Sequence, residues 1–86
     1  MAFLPPYRIR FRRELGEALR ARRRSLGLTQ KDLARETGLR QPLISDIECG
    51  ATNTRVDTIL DLCAFLELDW MLVDREKDHP FDPTQY

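Results

Sequence analysis

Apolar positions recur at helical spacing in four blocks, each closed by glycine or a small polar cluster. In the first block Phe11, Leu15, Ala18 and Leu19 keep one register, with Arg22 in the same series. This predicts a helix over about 11–25, stopped by Gly27 as a left-handed cap. The second block opens at Thr29, and Asp32 stands where a capping-box acid would. Leu33 and Ala34 form its buried face and Gly38 ends it. The third block starts near Gln41, tolerates Pro42 in its first turn, points Ile44 and Ile47 inward and stops at Gly50. In the fourth, Thr54 to Asp57 repeat the capping-box pattern ahead of a wide apolar face built from Val56, Ile59, Leu60, Leu62, Cys63 and Leu66.

Beyond residue 67 the helical period fails. In "LDWMLVD", residues 68–74, apolar side chains occupy both parities. A strand buried on both faces reads this way, and so does a short buried helix. Pro5 and Pro6 make residues 1–10 an extended arm, and the polar stretch 76–86, with two prolines, a loose tail. The chain therefore divides into an arm (1–10), a helical domain (11–68), a short seam segment (69–75) and the tail (76–86).

The two central helices are too short to be stable alone. They need a common core, expected from Leu15, Leu19, Leu28, Leu33, Ala34, Leu39, Ile44, Ile47, Ile59 and Cys63. Two helices joined by a tight turn at a glycine form a helix-turn-helix, in which the second helix enters the DNA major groove. The fold class is all-α.

Composition adjusts this picture at three points. An 86-residue chain is one domain with a small core, which gains from a partner. Its zero net charge is segregated: residues 1–24 carry eight Arg and two Glu (+6), residues 25–55 balance, and residues 56–86 carry two basic and eight acidic groups (−6). The basic end suits a polyanion and the acidic end should face away from it. Cys49 and Cys63 fit no metal-ligand spacing and read as reduced thiols. No apolar run approaches a membrane span or a signal peptide, so the bacterial cytosol, with nucleoid association, is the expected location. A single histidine, His79, and the lack of a phosphate loop or nucleophile–base set argue against an enzyme. No cofactor, metal or small-molecule ligand is expected.

The residues "LTQKDLA…TGLRQPLISDIECG" resemble the Xre/phage-repressor helix-turn-helix family, whose pattern is L-T-Q-x-x-L-A, then G, then Q-x-x-I-S-x-I-E-x-G. The match spans about residues 12–68. The following "LELDWMLVDREK" is similar to HipB-type antitoxins. The resemblance implies a compact four- to five-helix lambda-repressor-like domain with a short C-terminal strand pairing across a dimer. It implies palindromic operator DNA, a second copy of the chain and a HipA-like Ser/Thr kinase toxin as partners. A solitary regulator without a toxin, or an antitoxin acting mainly by protein contact, remains open on these residues.

Candidate contacts follow from residue type and place. Gln30, at the start of the second helix, can grip a phosphate through its amide beside the helix-end N–H groups, and the family uses this Gln so. Arg40, Gln41 and Pro42 open the third helix, where Gln can pair with adenine and Arg with guanine. Ser45 lies one turn on. Leu43 can meet a thymine methyl or pack on the neighbouring helix. Asp46 either accepts from cytosine or faces away from the groove. Arg40 stands where many relatives carry a capping Ser or Thr. Arg55 can reach the backbone, as can Arg8, Arg10, Arg12, Arg13, Arg20, Arg22 and Arg24. The resemblance further implies a structural ion pair between Glu48 and Arg23. Trp70, Met71, Leu72 and Val73 are the candidate dimer interface, with Trp70 closing its own core as a last helical turn the alternative.

Overall fold

A computed structural model describes residue 3 and residues 5–75. Its elements are α1 (Arg12–Ser25), α2 (Gln30–Thr37), α3 (Gln41–Cys49) and α4 (Val56–Phe65). The tail expected over 76–86 lies outside the described residues.

Several helix boundaries have a local cause. The Glu14 carboxylate reaches back to accept from the backbone N–H groups of Arg10 (2.6 Å) and Phe11 (3.0 Å), which starts α1. Phe11, assigned to the helical face from its spacing, sits outside as the N-cap with its ring exposed. Thr29 and Asp32 form the expected capping box of α2 at 3.0 Å in both directions. Gly38 and Gly50 close α2 and α3 in the left-handed conformation that glycine adopts without a Cβ penalty. The box expected at Thr54 does not form. Arg55 is the N-cap of α4 and makes no side-chain cap bond, so the frame is displaced by one residue.

The helices enclose one core of Leu19, Leu33, Ile44, Ile47, Ile59, Leu62, Cys63 and Leu66. Leu15, Leu28, Ala34 and Leu39, also expected there, pack against it half-buried. The α4 face is narrower than its sequence suggests, because Val56 and Leu60 remain exposed. α1 packs chiefly on α3, and the approach is very close. A Cβ on Gly16 would stand 2.3 Å from the Ile47 carbonyl oxygen and 2.5 Å from that of Glu48. Only glycine lets these two backbones meet.

α4 ends in a left-handed residue, Glu67 at φ +58°, with the Leu68 N–H returning to the Cys63 carbonyl at 2.7 Å. The chain turns away there, so Trp70 does not extend the helix. Residues 68–75 are neither helix nor strand, and no strand occurs among the described residues. The Trp70 indole N–H points to the Cys63 sulfur at 2.9 Å. Burial pushes the Cys63 thiol up from its ordinary pKa, and the indole N–H partly opposes this. Both cysteines are free thiols, Cys49 exposed and Cys63 buried. No helix among the described residues is long and apolar enough to cross a membrane.

Candidate nucleic-acid interface

The inward side of α3 fixes its outward side. Ile44 and Ile47 are in the core, and Glu48 is buried beside them. The helical period then turns Gln41, Pro42, Asp46 and Cys49 to solvent, and Ser45 lies half-buried at the margin. Leu43 is half-buried and packs against the core, the second of its two expected roles. Asp46 is exposed one turn beyond Pro42.

A buried polar network holds this orientation. Arg23 donates to Glu48 through Nε at 2.7 Å and Nη2 at 2.9 Å, a two-pronged pair. Its remaining prong, Nη1, donates to the Leu28 carbonyl at 2.7 Å. Gln30 Nε2 donates to Glu48 Oε1 at 3.1 Å. The network ties α1, the α1–α2 turn, α2 and α3 together, and no buried side-chain polar atom among the described residues lacks a partner. Gln30 is therefore half-buried, with one of its two amide N–H groups committed to the fold.

The starts of the two central helices differ. At α2 the box lowers the Asp32 pKa, chiefly through the Thr29 backbone N–H and then its hydroxyl, with Arg35 at 2.9 Å adding a smaller effect. At α3 the N-cap Arg40 makes no side-chain cap bond and its side chain is exposed.

Arg55 is exposed at the start of α4, 3.9 Å from Asp57. Arg12 donates to the Asn53 side-chain oxygen, joining the start of α1 to the α3–α4 loop. Sequence reasoning gave no sign of that contact between residues 41 positions apart. Arg22 is turned inward: its Nε donates to the Leu66 carbonyl at 2.8 Å and its guanidinium lies 5.3 Å from the Phe3 ring centre. No group of three or more potential metal ligands occurs among the described residues.

Residues 14–76 match the helix-turn-helix domain family. Antitoxin HipB of Escherichia coli (strain K12) is 33% identical over 72 residues, covering 84% of this chain and 82% of that protein. The chain belongs to the HipB-type helix-turn-helix antitoxins. A solved complex of a HipB variant with an O2 20-mer superposes with TM-score 0.75 at 30% identity, covering 84% of this chain and all of the solved one. A chain of a solved HipA–HipB–O2–O3 complex gives 0.72 at 32% identity, covering 80% of this chain and 97% of that one. An uncharacterized HTH-type transcriptional regulator of Haemophilus influenzae is 45% identical over 42 residues, which are 49% of this chain and 43% of that protein. The chain thus spans under half of that regulator and most of HipB. This HipB-type family is one of DNA-binding antitoxins and not a family of enzymes.

Proposed function

We propose that this chain is an operator-binding repressor and antitoxin that acts as a dimer and binds a HipA-like kinase toxin. One observation carries the DNA reading: the buried Arg23–Glu48 pair and Ile44 and Ile47 commit one face of α3, leaving Gln41 and Pro42 outward at its N-terminal end and Asp46 outward one turn beyond Pro42. In a helix-turn-helix that end meets base edges. Gln41 reads adenine, Asp46 accepts from the cytosine amino group, and Arg40 reads guanine or holds a phosphate. Gln30, Ser45 and Arg55 hold phosphates, which sets the register without reading sequence.

One module makes few base contacts, so two are paired. A palindromic site asks for recognition helices one DNA turn apart, about 34–36 Å. Residues 69–74 form the seam as a strand against the same strand of the second copy. Met71 is 79% exposed, Leu72 99% and Val73 66%. Consecutive apolar side chains this open are a cost to a monomer in water. The likeness to HipB solved with HipA supports the toxin as a further partner.

Fluorescence anisotropy with a palindromic duplex from the chain's own upstream region tests the DNA reading. Binding should fall with salt along a slope of about −0.9 per neutralised phosphate, and Gln41→Ala should weaken the palindrome more than a scrambled duplex. Equal affinity for both duplexes, or no salt dependence, would reject it. Sedimentation of Trp70→Ala tests the seam, because a variant as dimeric as the parent would remove it. Co-purification with a kinase-like product of the neighbouring gene tests the toxin.

A further inference from the structure

The arm and the seam segment lie on the same side of the molecule. They flank one open apolar groove of about 620 Å³, with Leu15, Leu19 and Leu68 among its lining residues. Tyr7 and Ile9 from the arm and Trp70 and Leu72 from the segment line the same groove, and all four are large and exposed. The arm is held on this side near its N-terminal end. The Phe3 and Tyr7 rings stack at 5.1 Å, and the inward-turned Arg22 lies over Phe3.

The seam segment carries a net negative charge. If residues 69–74 pair antiparallel about a twofold axis between Met71 and Leu72, Asp69 stands opposite Asp74 of the partner subunit, whereas an axis on Leu72 sets Asp69 opposite Arg75 of the partner subunit and leaves Asp74 opposite the partner's Trp70. Parallel pairing about a twofold axis would set each acid against its own copy. Like charges directly opposed across strands are destabilising. Within residues 69–75 the two acids and Arg75 leave a net −1 per copy. The arm carries the opposite sign: Arg8 and Arg10 alternate with Tyr7 and Ile9, and no acid precedes Glu14.

Resting on the dimer reading above, we propose that the arm is the outer wall of the dimer seam, its groove occupied by the seam segment of a second copy. Tyr7 and Ile9 cover the apolar strand pair, and Arg8 and Arg10 offset the acids at its ends. The arm then serves assembly first, and its arginines are spent on the seam and not on the duplex.

Sedimentation equilibrium of the full chain without DNA tests this, with circular dichroism to check the fold. Tyr7→Ser with Ile9→Ser should raise the dimer dissociation constant roughly tenfold or more with the helices intact. Arg8→Glu with Arg10→Glu should also weaken the dimer, most at low salt. Adding Asp69→Lys and Asp74→Lys to that variant should restore it. If both arm variants dimerise like the parent, and only their affinity for duplex DNA falls, the arm is a DNA contact and this proposal fails while the seam stands. If the parent itself is monomeric across the concentration range, the seam reading and the proposal fall together.

Discussion

The starts of α2 and α3 lie close in sequence and are built in opposite ways. At α2 the cap groups are used by the fold: Thr29 and Asp32 cap each other, and one Gln30 amide N–H is drawn to Glu48. At α3 the cap position holds an exposed Arg that satisfies nothing, followed by exposed Gln41 and Pro42. A helix start that leaves its first N–H groups without a side-chain cap is less stable by itself, by about 1 kcal/mol. The comparison teaches that the chain puts local stability into the supporting helix and keeps the reading helix available for something outside the molecule.

The sharpest way to break this comparison is to remove what aims α3. Glu48→Ala leaves the buried Arg23 guanidinium without its carboxylate and should cost about 3–5 kcal/mol, read as a fall in Tm. Thr52→Ala, in the loop, should change Tm little, and comparable losses for the two would refute the structural assignment of Glu48. Next in size is Gly16→Ala. The new Cβ meets backbone carbonyls that cannot swing aside, so the α1–α3 approach must open, at about 1–3 kcal/mol or more. Gln41→Ala should leave Tm unchanged and cost about 1–3 kcal/mol of discrimination at one base pair. A lower Tm would mean that Gln41 is part of the fold after all.

The caps themselves give the smaller effects. Thr29→Ala should destabilise by about 1 kcal/mol, while Arg40→Ser should gain several tenths by supplying the missing cap and lose operator affinity. Opposite signs for the two in thermal unfolding would sharpen the contrast, and equal signs would erase it. Acid should act on the α2 and α1 starts. Folding lowers the pKa of Asp32 and of Glu14, so their contribution is complete above the ordinary carboxylate range and is lost as pH falls below it. Asp32→Asn should flatten that acid limb of the Tm–pH curve.

What was legible in the sequence was local. The Thr29–Asp32 box, the glycine stops and the inward positions of Ile44 and Ile47 are written within a few residues, and the structure has them where the pattern puts them. The capping pattern at Thr54 misleads because such a pattern needs the chain to turn at one specific residue, and here the turn falls at Arg55. Arg22 falls in the apolar series of α1 and yet, by residue type, reads as a charge available to a phosphate. Its role depends on the Leu66 carbonyl, 44 residues away, which no local pattern announces. Gly16 gave no signal either, since a glycine within a helical period marks only an absent side chain, and its importance lies in the backbone it meets.

The chain has one tryptophan, and it sits half-open above a buried thiol. Excited on the red edge, where the two tyrosines do not absorb, the chain emits from a single indole. Dilution, mixing with a toxin or loading onto a duplex could each be followed by wavelength and intensity alone, so the molecule carries its own label at the place where copies would meet.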